Sequence, residues 1–448
     1  MTATRAAGTP TSGPARTPMT AALRLPRYPY LWVSGAFWHT SRWGLAFLAA
    51  YVARSLSESP RLVQLTGVAM WMPLLVGGVI GGIVSDRLDR RRTLLFQLGG
   101  LIPLVFGIGL LEVGGALSLW MIYPFMVLVG IGWVVDMTSR RAFIYDVVGP
   151  GLIDNAMALE SFAMALGMIF GTLFGGSAIE AIGVGPAFLG IGGLLTVSLL
   201  LFLRVPADAG AAGAASAVPV AGPTSPLAQF RDGFGLLGTE RGLVSILGVT
   251  ALVNFFYFSF NPLVQVIGKQ LGAGPGRVGL LAAMTGVGMM ISSFVIARGR
   301  IQRRGLAYCT GSLAAFAFLV VVAQARSYLL ALLALLAAGI GTGFFGSTQS
   351  TLVMTSVPVS VRGRALGLLS TAIGVLPLGM ILLGELAEAR SARTAITVSA
   401  LCGGIGLVLW LVRRPEVLGM RADASAPVGA GAASPIDRFR RSRRDSAG

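Results

Sequence analysis

Apolar residues fall along this chain in blocks of about 20, each long enough to cross ~30 Å of hydrocarbon as a helix. The blocks lie near residues 30–53, 64–85, 93–113, 117–139, 157–179 and 185–204, and again near 242–267, 276–297, 305–323, 327–348, 363–384 and 393–412. The pattern predicts an all-α membrane protein of twelve transmembrane helices in two pseudo-symmetric six-helix halves, 30–204 and 242–412. Residues 205–241 form a Pro/Ala/Gly/Ser-rich linker with a short amphipathic segment around Phe230 to Leu237. Residues 1–29 and 413–448 are expected to be disordered tails. The second ends in the basic run Arg438 to Arg444, either a solvated tail or one drawn to anionic lipid heads.

The two halves repeat one another. Gly130-Ile131-Gly132 falls on Gly339-Ile340-Gly341, and without a gap Val148 falls on Val357, Ala156 on Ala365, Leu159 on Leu368 and Ser161 on Ser370. One register thus holds across a helix, a loop and the next helix. Halves related in this way, joined by a central linker, imply a transporter in which they rock about a site near the bilayer midplane.

Composition agrees with a membrane location: 54% hydrophobic residues, 12% charged residues and a mean hydropathy of +0.78, where a soluble domain carries about a quarter charged residues. The 62 glycines suit helices that approach closely in lipid. The net charge of +17 does not indicate a nucleic-acid partner. Most basic residues gather on the side of the break Gly82 to Arg92, as the positive-inside rule requires of cytoplasmic loops. Both termini are therefore expected in the cytoplasm of a bacterial-type inner membrane. The N-terminal 29 residues have no apolar signal core. Cys309 and Cys402 sit in apolar runs of different helices, which indicates neither a disulfide framework nor a metal site. No phosphate loop, metal cluster or nucleophile triad is present in the sequence. The expectation is a non-enzyme without a cofactor, a monomer among membrane lipids.

Gly82, Asp86, Arg87, Arg90 and Arg91 resemble the loop signature between the second and third spans of the major facilitator superfamily, with Asp89 where that family usually has glycine. Asn155 to Ser161, and Val361-Arg362-Gly363-Arg364-Ala365 followed by Pro377-Leu378-Gly379, are similar to its enterobactin-exporter and macrolide-efflux branch, as are Trp43 and Ser59-Pro60. The resemblance covers about residues 28 to 412 and implies export of a bulky, largely apolar solute. Gly167, Gly171, Gly175 and Gly176 in the fifth span resemble a signature associated with antiporters, with Thr172 in place of the usual proline. The same spacing equally suits close helix packing.

Ionisable groups within spans cost ~2.5–3.5 kcal/mol each on insertion scales and mark a pathway, a relay or a paired gate. Counted from Tyr30 at ~1.5 Å per residue, His39 lies ~14 Å deep and Arg42 ~18 Å. Arg42 either holds an anionic group of the substrate or serves as a counterion. Glu160, near one end of the fifth span, is the first choice for a proton-coupling group; the alternative is an arginine partner or cytoplasmic water. His39 either titrates or is a hydrogen-bonded wall residue beside Trp38 and Trp43. Asp136, expected in the last turn of the fourth span, joins Asp86, Arg87, Arg90, Arg362 and Arg364 in a cytoplasmic latch between the halves, or else simply pairs with Arg140 at i,i+4. In the repeat register Asp136 falls on Phe345 and Glu160 on Leu369, so the charges belong to the N-terminal half. The C-terminal half offers an aromatic wall at Asn254 to Asn261, with Asn254 and Tyr257 as pathway candidates.

The expected function is proton-coupled efflux of a bulky amphipathic small molecule by alternating access. The alternatives are an uncoupled or uptake carrier and a transport-dead membrane sensor.

Overall fold

The computed structural model describes residues 20–205, 235, 237–238 and 240–421 apart from 88, 150, 299–300 and 359–360; for 76–87, 154 and 297 it describes the backbone alone. The central part of the linker, the ends of both tails and most of the amphipathic segment of 230–237 lie outside these residues.

Six helices build the N-terminal half: α1 (Tyr28–Leu56), α2 (Pro60–Arg87), α3 (Arg90–Val113), α4 (Leu119–Val148), α5 (Ile153–Ile182) and α6 (Val184–Leu203). The seventh span is broken. It starts as α7 (Arg241–Leu252), passes through a π turn (Val253–Tyr257) and a 3-10 stretch (Phe258–Leu263), and ends as α8 (Val264–Gln270). Pro262 lies in the 3-10 stretch and has no N–H to continue an α-helical ladder. Then come α9 (Pro275–Ala297), α10 (Arg304–Gln324), α11 (Tyr328–Thr355), α12 (Arg362–Ile373), α13 (Leu376–Ala389) and α14 (Ala392–Arg413). The eleventh span comprises α12 and α13, and α14 is the twelfth. Ten of these spans combine the length and hydropathy of membrane helices among the described residues. α1 and α2, with 29 and 28 residues, are long enough to cross as well. The protein is thus an all-helical membrane protein of twelve spans in two six-helix halves.

Several helices run past the expected ends. α4 continues to Val148, stopping where Gly149 takes φ 70°, so Asp136 stands well inside the helix and not in its last turn. The order also reaches into both expected tails. A 3-10 turn at Ala22–Arg24 buries Ala22, whose N–H donates to Asn155 Oδ1 at 3.0 Å. At the other end Val417 is buried and Gly305 N donates to Met420 O at 3.0 Å. In both places a short apolar residue covers a helix end. Asp89, the departure from the loop signature, caps α3 by accepting from Arg92 N at 2.6 Å, which satisfies an N–H that the helix itself leaves unpaired.

Large apolar side chains face outward, among them Phe96, Trp120, Leu329 and Val412, as lipid contact requires. Within the N-terminal half α1 packs against α5 and α6, and α2 against α4. Between halves α5 packs on α9 and α2 on α13. The fifth-span glycines make two seams. Gly167, Gly171 and Gly175 face α1, where a Cβ on Gly171 would fall 2.4 Å from Thr40 O; Gly176 faces α9, where a Cβ would fall 2.5 Å from Pro275 O.

Gly171→Ala is expected to cost about 1–3 kcal/mol through overpacking, read as a lower Tm of the purified protein in detergent. Gly100→Ala, where a Cβ meets nothing within 4 Å, is the matched control; equal Tm values for the two variants would contradict the α1–α5 seam.

Candidate functional site

Four ionisable side chains converge inside the N-terminal half. His39 Nε2 on α1 lies 2.9 Å from Glu160 Oε1 on α5, and both residues are buried. Arg140 Nε on α4 donates to Asp136 Oδ1 at 2.7 Å, again with both residues buried. The pairs meet over Gly35 of α1. Arg140 Nη1 and Glu160 Oε2 each come 3.4 Å from the point where a Cβ of Gly35 would lie, so the missing side chain leaves room for both. Arg42, 1% exposed, stacks between the rings of Trp43 (4.7 Å) and Trp133 (4.6 Å), within the field of Asp136. Its Nε and Nη1 have no hydrogen-bond partner. With His39 neutral, the formal charges of Asp136, Glu160, Arg140 and Arg42 sum to zero.

Trp43 and Trp71 form part of the wall of a central cavity of about 80 Å³ between the halves, together with Met70, Met126, Gln265 and Met380. Trp133 meets Trp71 edge-on at 4.2 Å, so Arg42 stands one layer behind an indole wall. The cavity is far smaller than the about 300–1,000 Å³ of drug-sized sites; a bulky solute needs the halves to part. Asn261 and Gln265 also line it, and Gln265 Oε1 has no partner.

The structure brings Glu160, His39, Asp136 and Arg42 into one half, but it does not bring Asn254 or Tyr257 to this cavity. Asn254 is buried and donates to Thr250 O of its own helix at 2.9 Å. Tyr257 is fully buried against Phe258, Phe260 and Phe316. The π turn that holds them changes the register of the seventh span, and its later residues face the cavity instead. Pro262 was the legible signal of that break.

Among the described side chains, the expected latch residues Arg90 and Arg362 have partners within their own halves. Arg90 pairs with Asp146 at 2.7 Å, and Arg362 Nε donates to Met354 O at 2.9 Å. Arg364 is exposed. Gly82, Asp86 and Arg87 fall among the residues described by backbone alone, so their side chains lie outside the described set.

Contacts that sequence reasoning missed tie the halves at the opposite, distal face. Lys269 Nζ donates to Glu58 Oε1 at 2.5 Å, Arg61 lies 3.4 Å from Glu385, Ser59 Oγ donates to Glu388 at 2.6 Å, and Gly276 N donates to Glu180 at 2.8 Å. Deeper, Gln64 Nε2 donates to Ser259 O at 2.9 Å. Only the placing of acids and bases at span ends hinted at these pairs, and the partners are hundreds of residues apart in places. The Lys269 ammonium holds the Glu58 carboxyl below the usual carboxylate range.

The chain belongs to the Major Facilitator Superfamily, whose sequence profile matches residues 31–375 and also 246–444; it is a membrane transporter and not an enzyme. It is 25% identical over 378 residues to the MFS-type transporter YfiS of Bacillus subtilis, covering 82% of this chain and 86% of YfiS. With the enterobactin exporter EntS of Citrobacter koseri it shares 26% over 361 residues, 78% of this chain and 80% of EntS. Among solved structures it resembles a POT family transporter in complex with 5-aminolevulinic acid (TM-score 0.71, 12% identity, 87% of this chain and 96% of that one). It likewise resembles an inward-facing, unoccupied bacterial homologue of the lysosomal transporter Spinster (TM-score 0.65, 16% identity, 89% and 99%).

Two outcomes follow. Arg140→Met leaves the Asp136 charge buried and unpaired and is expected to cost about 3–5 kcal/mol, more than Asp136→Leu combined with Arg140→Met, as read by thermal unfolding in detergent; equal costs would contradict the pairing. Because the Glu58 value is depressed in the closed form, its tie is fully present above the ordinary carboxylate pKa of about 4.3 and is lost as pH falls through the lower value. Distal opening, followed by spin-label distances across that face, is therefore expected to rise at acid pH in the parent chain, and that acid step is expected to be smaller in Glu58→Gln, where the other carboxylate ties remain.

Proposed function

We propose that this transporter exports a bulky amphipathic small molecule in exchange for protons, with the arginine-rich face in the cytoplasm. The observation that carries the reading is the buried, charge-balanced set of His39, Glu160, Asp136, Arg140 and Arg42. A proton entering a balanced low-dielectric cluster leaves one positive charge uncompensated, and the helices that hold the cluster must adjust. Glu160 links α5 to His39 of α1, and α5 packs on α9 of the other half. Protonation of Glu160 weakens its attraction to His39 and Arg140 and is coupled in this way to the seam between halves.

The solute side of the reading rests on the cavity wall. Indoles at Trp43 and Trp71 and thioethers at Met70, Met126 and Met380 suit apolar, polarisable surface, while Asn261 and Gln265 offer polar groups for orientation. The exporter named among the relatives carries enterobactin, and export of a bulky solute is in keeping with that kinship. The N-terminal half handles protons and supplies the indoles of the wall, where an aromatic wall was expected from the C-terminal half, and the C-terminal half adds Asn261, Gln265 and Met380. Gly82, Asp86, Arg87 and Arg90 with Arg362 and Arg364 form the cytoplasmic latch when that face closes. The distal ties of Glu58, Arg61 and Glu180 hold the alternate face.

In inverted membrane vesicles given a drug and dye panel on the outside, Glu160→Gln is expected to abolish pH-gradient-driven accumulation while solute binding is retained. Undiminished gradient-driven accumulation in that variant would sink the assignment of Glu160, and accumulation insensitive to a protonophore in the parent chain would favour an uncoupled carrier.

A further inference from the structure

Three consecutive arginines open α3, and they have different fates. Arg90 is bound to Asp146 and Arg91 Nε donates to Val205 O at 3.0 Å. Arg92 is exposed, and among the described residues no carboxylate pairs with its guanidinium. It stands at the mouth of a groove of about 820 Å³ between α3 and α4, on the outside of the N-terminal half. Asp89, also at the mouth, is already occupied in capping the N–H of Arg92.

Below Arg92 the groove becomes apolar, with Leu104, Leu128 and Ile131 on its walls and Phe96 at its edge, the last 80% exposed. A buried polar side chain interrupts this wall. Gln97 is 8% exposed, and neither its Nε2 nor its Oε1 has a hydrogen-bond partner. An unsatisfied buried amide costs about 1–3 kcal/mol, and inside the hydrocarbon region no water is at hand to relieve it. The amide is seated against α4 where Gly132 leaves space: a Cβ there would lie 3.5 Å from Gln97 Nε2. Gly100, one turn deeper, has open space around its Cβ position.

We propose that this groove binds one glycerophospholipid from the leaflet at the arginine-rich face. The phosphodiester rests on the Arg92 guanidinium, an acyl ester carbonyl accepts from Gln97 Nε2, and an acyl chain lies past Gly100 along Leu104, Leu128 and Ile131. The order of groups matches the molecule. Gln97 is five positions beyond Arg92, ~7.5 Å deeper along the helix axis, as the glycerol esters lie beneath the phosphate. From Arg92 to Leu104 the groove runs ~18 Å, close to the ~15 Å half-thickness of the hydrocarbon core. The site is separate from the central cavity and from the proton cluster, and it stands whether or not export is proton-coupled.

The test is native mass spectrometry of the detergent-purified full chain titrated with phosphatidylglycerol, phosphatidylethanolamine and diacylglycerol. Both phospholipids are expected to give one saturable adduct that survives mild activation, and diacylglycerol, which lacks the phosphate, to bind at least about tenfold more weakly. Gly100→Trp fills open space without disturbing a packed contact and is expected to remove the adduct; Gln97→Leu and Arg92→Ala are each expected to weaken it by about tenfold. Parent-like Tm values certify that the variants fold. Retention of the same adduct in Gly100→Trp would overturn the site. Equal binding of diacylglycerol would overturn the role of Arg92. Displacement of the adduct by exported dyes with no effect of Arg92→Ala would assign the groove to solute entry and not to lipid.

Discussion

The cost of placing charge in a medium that cannot solvate it governs this protein. Asp136, Arg140, Glu160 and Arg42 are all almost fully buried in one half of a membrane protein, and each would be prohibitive alone. Together they cancel, and His39 caps Glu160 at 2.9 Å. The balance depends on three helices keeping their positions: α1 carries Gly35, His39 and Arg42, α4 carries Asp136 and Arg140, and α5 carries Glu160. The glycine seam that brings α5 against α1 at Gly167 and Gly171 is a condition for the charge balance, because bulkier residues there would move Glu160 away from His39.

The other half solves the same packing problem without charge. In the register that carries Asp136 to Phe345 and Glu160 to Leu369, Arg140 falls on Gln349. Gln349 Nε2 donates to Thr250 Oγ1 at 3.1 Å, and Thr250 shares a 2.8 Å hydrogen bond with the Tyr308 hydroxyl, whose ring stacks on Phe345. A neutral hydrogen-bonded triad thus stands where the N-terminal half has ions. Such a triad carries no ionised group. At the distal face the ties between halves are exposed side-chain pairs such as Arg61 with Glu385, which hold weakly.

The span count, the two halves and the concentration of charges in the first half were legible because they depend on hydropathy and on a repeat that survives point changes. Reading single residues fared according to how local their partners are. Arg42 was legible as a deep charge, but its stacking between Trp43 and Trp133 needed the fold, since Trp133 comes from α4. The Asp136 with Arg140 pair was visible as an i,i+4 spacing; its burial was not, because the helix continues to Val148 beyond the apolar run. Asn254 and Tyr257 were read as facing the pathway on a regular helix, and the π turn around them redirects that face to Asn261 and Gln265. The distal ties left almost no sequence signal: Glu58 and Lys269 are adjacent only because two six-helix bundles meet there.

The central claim is that the state of one buried carboxylate sets the relation between the halves. Spin labels at Ala116 and Arg326, exposed loop positions on the distal face of opposite halves, report that relation by electron–electron distance. Between about pH 5.5 and 8, above the range in which the Glu58 tie is lost, the parent chain is expected to shift its distance distribution, and Glu160→Gln is expected to hold one distribution throughout. The same pH-dependent shift in the Glu160→Gln chain would contradict the account.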